Sequence, residues 1–210
     1  MPYPTRQQPT WSAAILAGGR ATRLGGAVKA TLTIGGAAIL TRQRRALEAL
    51  GVTPVVIATD PAPFAEFDIT VRPDVLAGAG ALGGLHAALA HAATPHVVVL
   101  AGDLPFVTAE FVGHLVSLRH DADAVVPRDA HGWHPLCACY GRHLAADLAR
   151  RIGRGQLRIA AALDDWQVRA VEPGEIARFD PRGVLLMNVN TPDDYERARL
   201  EAHRADDRRS

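Results

Sequence analysis

Lys29 is the single lysine of this chain, although lysine and arginine together number 23. It stands near the end of the stretch Leu16 to Ala30, LAGGRATRLGGAVKA, which carries four glycines and two arginines. Gly18 and Gly19 have no side chains, so backbone N–H groups at these positions can come close to an anion. Arg23 adds a planar fork of donors and Lys29 a point charge, both suited to a polyphosphate. The stretch contains neither G-x-G-x-x-G nor G-x-x-x-x-G-K-[ST], which excludes the dinucleotide fingerprint and the Walker A loop. A solvated basic loop is the plain alternative to phosphate binding.

The elements that must position this loop follow from the apolar pattern. Ala13 to Ala17, Pro54 to Ala58, His96 to Ala101, Ala124 to Pro127, Leu136 to Tyr140 and Val184 to Met187 read as strands. Several, such as VVI and VVVLA, are apolar on both faces, as in a parallel sheet covered by helices on each side. Leu40 to Leu50, Leu82 to Ala92, Thr108 to His120 and Gly141 to Ile152 repeat apolar residues at three- and four-residue spacing and read as helices. A last helix opens at Thr191-Pro192-Asp193-Asp194, with Thr as N-cap and acids in the first turn. Strand and helix in alternation predict a three-layer α/β sandwich with a mostly parallel, Rossmann-like sheet, whose ligands gather at the carboxyl ends of the strands.

The 210 residues are 48% apolar and 21% charged, which suits one domain over 1–210 with flexible ends at 1–11 and 201–210. A formal charge of +1 gives no electrostatic footprint for nucleic acid or an acidic membrane surface, and a small ligand is the expected partner. No apolar run approaches the roughly 20 residues that span a bilayer, and the polar start MPYPTRQQPTW has no signal-peptide core, so a cytoplasmic location is expected. Cys137 and Cys139 sit at strand spacing and read as buried free thiols; with His131 and His134 they match no standard zinc spacing.

The string LAGG-x-x-x-R-L-G-x-x-x-K resembles the signature loop of nucleotidyltransferases that activate sugars and cofactors, and looks most like the molybdenum cofactor guanylyltransferase family. The resemblance extends through GALGG at Gly80 to Gly84, AGDLPF around Asp103, HPLCACY from His134 to Tyr140, GQLR from Gly155 to Arg158 and NVNTPDD from Asn188 to Asp194. It implies a fold of the nucleotide-diphospho-sugar transferase type and a transferase that moves GMP from GTP to the terminal phosphate of molybdopterin, releasing pyrophosphate. It also implies Mg²⁺ as cofactor and transient contact with proteins that deliver or accept the pterin.

Residue by residue, the resemblance implies that Leu16, Ala17, Gly18 and Gly19 line the nucleotide and that Arg23 and Lys29 hold its phosphates. Asp74, after ITVRP, resembles the acid that reads the guanine Watson–Crick edge; it reads equally as a turn aspartate. Asp103, one residue past a glycine after HVVVLA, resembles a metal and nucleotide ligand, and a hard oxygen donor suits Mg²⁺. Asn190 resembles the second protein ligand of that metal, with a backbone-capping role as its alternative. His134, Arg158 and Asn188 fall in the regions where the family meets its acceptor. A strand-start histidine pinned by Pro135 and a solvated helix arginine are the alternatives for the first two.

Three positions depart from the family pattern. Val28 stands where an acid usually precedes the lysine, Ala58 where an asparagine often contacts base or ribose, and Leu157 where a further arginine would sit beside Arg158. Transfer from CTP, transfer to another phosphorylated acceptor, and a non-catalytic nucleotide-binding module are the competing functions.

Overall fold

The computed structural model describes residues 9–18, 28–76 and 78–206. Along the chain these form β1 (Trp11–Leu16), β2 (Thr33–Ile34), β3 (Ala37–Ala38), α1 (Ile39–Glu48), β4 (Val55–Ile57), β5 (Val71–Arg72), α2 (Gly80–His91) and β6 (His96–Ala101). They continue with α3 (Ala109–Ser117), β7 (Ala124–Asp129), β8 (Gly132–Trp133), β9 (Cys137–Gly141), α4 (Ala145–Gly153), α5 (Ile159–Leu163), β10 (Val168–Val171), α6 (Pro173–Ile176) and α7 (Pro192–Asp206).

The central sheet runs β10-β7-β9-β6-β1-β4-β5, with β8 added to β7 and β2 pairing β3 apart from it. Neighbours β1 and β4, β1 and β6, β4 and β5, and β7 and β10 are parallel. Strand β9 lies antiparallel to both of its neighbours.

Alternation along each strand sends successive side chains to opposite faces. In β1, Ala13 and Ile15 join Val98, Leu100, Cys137 and Cys139 in a core under α1, α3 and α6. Ala14, Val97, Val99, Ala138 and Tyr140 face a second core under α2, α4 and α5. These are the two faces of a three-layer sandwich, which explains why HVVVLA is apolar without alternation. A third cluster packs Ala198 and Ala202 of α7 against Ile34, Ile39 and Phe106. Among the described residues no helix is long and apolar enough to cross a membrane.

The run Val184 to Met187 is not a strand. The Asp180 carboxylate accepts from the backbone N–H of Val184 at 2.8 Å and Leu185 at 3.0 Å, and Met187 N–H closes on the Val184 carbonyl at 3.0 Å. That folds the run into a turn whose Val184 and Leu185 side chains are buried, so its apolarity reflects burial without a ladder. The helix expected over Gly141 to Ile152 starts later: β9 continues through Gly141 and a 3-10 turn spans Arg142–Leu144 before α4. Strand β10 is a half-buried edge strand that the run-based reading misses.

Candidate active site

Strands β1, β4, β5 and β6 run parallel, so their carboxyl ends share one edge, and a cavity of about 320 Å³ opens there. Leu16, Ala17 and Gly18 line it from the end of β1, Ile57 and Thr59 from β4, Asp74 from the segment after β5, and Ala101, Gly102 and Asp103 from the end of β6. Gly80, Ala81 and Gly84 of α2 and Leu136 before β9 close the remaining walls. The first turn of α2 has no side-chain cap and lines the cavity through Gly80 and Ala81, a setting suited to negative charge. A Cβ at Gly84 would meet Leu16 Cδ1 at 3.2 Å, so glycine is what lets α2 approach the end of β1.

Lys29 enters from a 3-10 turn, Lys29–Thr31, tied by Thr31 Oγ1 donating to the Val28 carbonyl at 2.9 Å. Its Nζ donates to Asp103 Oδ2 at 3.2 Å and to Asn190 Oδ1. Asn188 Nδ2 donates to the other carboxylate oxygen of Asp103 at 2.8 Å, and the backbone N–H of Val189 donates to the Asp103 carbonyl at 2.9 Å. The segment Asn188 to Asn190 thus wraps Asp103 from one side while Lys29 meets it from the other. Asn190 is held in turn by the start of α7, where Asp194 Oδ2 accepts from the Asn190 and Thr191 N–H groups at 3.0 and 2.9 Å. Thr191 Oγ1 accepts from Asp194 N–H at 3.1 Å, so Thr191 caps the helix as its sequence predicts.

Asp103 and Asn190 direct oxygens at one cationic position, filled here by the Lys29 ammonium. A carboxylate and a side-chain carbonyl converging on one point are the donors a hard divalent ion takes, with phosphate oxygens and water completing its shell. The residues therefore fit such an ion. Among the described residues no group of three or more His, Cys, Asp or Glu side chains could hold a metal alone.

Asp74 lines the same cavity with no cationic partner among the described residues, and burial raises its carboxyl above the usual aspartate range. His134 lies outside the cavity wall, its Nε2 2.8 Å from Asp129 Oδ2, and its backbone N–H bonds the Pro127 carbonyl at 2.8 Å. Arg158 is exposed at the N-cap of α5 and does not line the cavity. Asn188 faces Asp103. Gly19 and Arg23 lie outside the described residues. Cys137 and Cys139 are buried free thiols, each pushed up to about 12 by burial.

Val28 packs, half-buried, against the main core, and Ala58 is buried in it. The residue after Ala58, Thr59, reaches the cavity instead. A polar residue directly following a buried strand end is the signal that could have found it. Thr59, Leu136 and the contact of Asn188 with Asp103 were not foreseen from sequence; the last joins positions 85 residues apart.

An open α/β sheet with its cavity at the carboxyl edge, and a lysine facing an aspartate there, is the setting in which α/β domains bind nucleotides. Residues 13–168 match the family model described as MobA-like NTP transferase domain, and the chain belongs to that family. It is 28% identical to the molybdenum cofactor guanylyltransferase of Desulfosudis oleivorans, over 88% of this chain and 92% of that protein. It is 35% identical to a probable molybdenum cofactor guanylyltransferase of Opitutus terrae, over 89% of this chain and 93% of that one. Among solved structures it is similar to molybdopterin-guanine dinucleotide biosynthesis protein A of Archaeoglobus fulgidus, with a TM-score of 0.79 and 27% identity over 92% of this chain and 99% of that one.

Proposed function

We propose that this chain, acting as one catalytic domain in the cytoplasm, transfers GMP from GTP to the terminal phosphate of molybdopterin and releases pyrophosphate. The observation that carries the reading is that one cavity holds Asp74, a carboxylate without a cationic partner among the described residues, together with Lys29 and Asp103, whose ammonium Asn190 shares. A carboxylate accepts from both the N1–H and the exocyclic amine of guanine, and the cationic cluster suits the triphosphate. The names of the relatives support the same donor and acceptor.

In the reaction an oxygen of the acceptor phosphate forms a bond to the α-phosphorus of GTP, and the bond from that phosphorus to the bridging oxygen of the β-phosphate breaks. The electron pair leaves with pyrophosphate. The attacking phosphate monoester has a second pKa of about 6 and is already anionic at neutral pH, so no residue need take a proton from it. The protein's tasks are then in-line placement and charge neutralisation. Lys29 meets the phosphates from the loop side, with Arg23 and the amides of Gly18 and Gly19. Asp103 and Asn190 would hold Mg²⁺, which when bound offsets charge on the transferring and leaving phosphates. Asn188 orients Asp103, while His134 and Arg158, outside the cavity, would meet the acceptor.

The test is release of pyrophosphate by the purified protein with molybdopterin, MgCl₂ and each of GTP, CTP, ITP and ATP. GTP should give the highest kcat/KM; a CTP preference would overturn the guanylyl reading, and release without acceptor would overturn the transfer.

A further inference from the structure

We propose that Gln43 is a positioning residue that sets the Asp103 carboxylate for its ion. This rests on the reading of Asp103 as a metal ligand. Gln43 stands in α1 at 1% exposure and is one of two polar side chains buried among the described residues. Its Nε2 donates to the Ala101 carbonyl at 2.7 Å and to the Leu104 carbonyl at 3.1 Å. Those carbonyls are the two ends of the turn that carries Gly102 and Asp103, which the Leu104 N–H closes on the Ala101 carbonyl at 3.4 Å. One amide therefore braces both ends of the turn from below. The next residue along the chain, Pro105, is braced from the same helix, its carbonyl accepting from Arg42 Nε at 2.9 Å.

The brace carries a cost that packing alone does not explain. Gln43 Oε1 is buried with no hydrogen-bond partner among the described residues, a penalty that an apolar residue of the same length would avoid. What glutamine supplies and an apolar residue cannot is a pair of N–H donors aimed at the turn. The carboxylate above has both its oxygens engaged, one by Asn188 and one by Lys29, and its backbone carbonyl by Val189. The carboxylate has little freedom of its own, so a shift of the turn moves it directly.

The experiment compares wild type with Gln43→Met, which keeps length and removes both donors, and with Gln43→Asn, which keeps the amide and shortens its reach by one carbon. Mn²⁺ is the probe: free Mn²⁺ is read by electron paramagnetic resonance during titration of protein saturated with GTP, alongside kcat, KM and melting temperature. Both variants should bind Mn²⁺ about 10-fold more weakly and lose about 10-fold in kcat, in line with other supports of metal ligands, with KM for GTP nearly unchanged. If Gln43→Met does not fold, Gln43→Asn carries the test. Wild-type Mn²⁺ affinity in the variants that fold overturns the proposal, even if they melt earlier. Asp103→Asn separates the two readings. If it too leaves Mn²⁺ affinity unchanged, the metal assignment falls and the Gln43 role with it; if it weakens Mn²⁺ while the Gln43 variants do not, only the Gln43 role falls.

Discussion

Lys29 and Asp103, 74 residues apart in the chain, meet as an ion pair of 3.2 Å at the carboxyl edge of the sheet. Both side chains are less than one-fifth exposed, and Asn190 shares the ammonium. The pair holds the cavity's positive and negative charge against each other, so a triphosphate and its ion must each exchange one partner to bind. Removing the ammonium with Lys29→Ala should cut turnover on the order of 100-fold or more. Stability should fall by about 1–3 kcal/mol, because the mostly buried Asp103 carboxylate loses its cation. Pyrophosphate release and thermal melting check both, and unchanged turnover at saturating GTP would remove Lys29 from the chemistry.

Asp74 predicts a pH effect of definite sign. Its carboxyl titrates above the usual aspartate range because burial disfavours the charge. The folded state thus prefers the neutral form: the stabilising effect is full below the unfolded-state value and lost as pH rises through the folded one. At neutral pH Asp74→Asn should melt slightly above wild type, and the difference should vanish in acid. GTP affinity should move the opposite way, falling in wild type as the carboxylate is protonated. The preference for GTP over ITP should narrow in Asp74→Ala, measured as the ratio of kcat/KM; an undiminished ratio would exclude Asp74 from reading the base.

Gly102 sits where the turn below Asp103 touches its neighbours. A Cβ there would lie 3.0 Å from the Leu16 carbonyl oxygen and 3.0 Å from Ala30 Cβ, so backbone must shift. Gly102→Ala should destabilise by about 1–3 kcal/mol through overpacking. It should also lower kcat, because the displaced turn carries Asp103. Denaturant melts and initial rates measure the two effects; a variant with wild-type stability would mean the turn yields freely.

Val28 offers a test of the departure from the family pattern. The carboxylate of Val28→Asp would replace a side chain packed against the core, beside Ala17, Ala58 and Phe64. A loss of about 1 kcal/mol or more is expected from the half-buried charge, offset in part by Lys29 next in sequence. A raised melting temperature would show that the loop lacks an acid it could accommodate.

Much of this site was legible in the residues themselves. HVVVLA announced a doubly covered strand and AGD the acid at its end; Thr191-Pro192-Asp193-Asp194 announced a capped helix start, and Cys137 and Cys139 their shared buried face. What sequence left dark depends on partners far along the chain. VLLM at 184–187 looks like a strand until Asp180 is seen holding it in a turn. Asn188 was grouped with the acceptor because spacing says nothing of its reach to Asp103. Gln43 lies on an amphipathic helix among arginines, and only the carbonyls it meets, 58 and 61 residues on, distinguish it from a surface glutamine.

Strand β9 enters the sheet against the run of its neighbours, so its beginning, just after Leu136, and the end of β7 both stand on the edge that carries Asp103. The chain between them carries the short β8, and its Trp133 and Leu136 side chains pack against the cores. Residues can be added to or taken from this hairpin while the pairing of Val98 with Cys139 and of Val125 with Cys139 stays in place. The wall of the cavity on that side is Leu136, whose carbonyl accepts from the Ala101 N–H at 2.6 Å, so the hairpin tip beyond it is the part free to vary. A change in the length of that tip would reshape the approach to the cavity and leave untouched the ends of β1, β4 and β6 that line it.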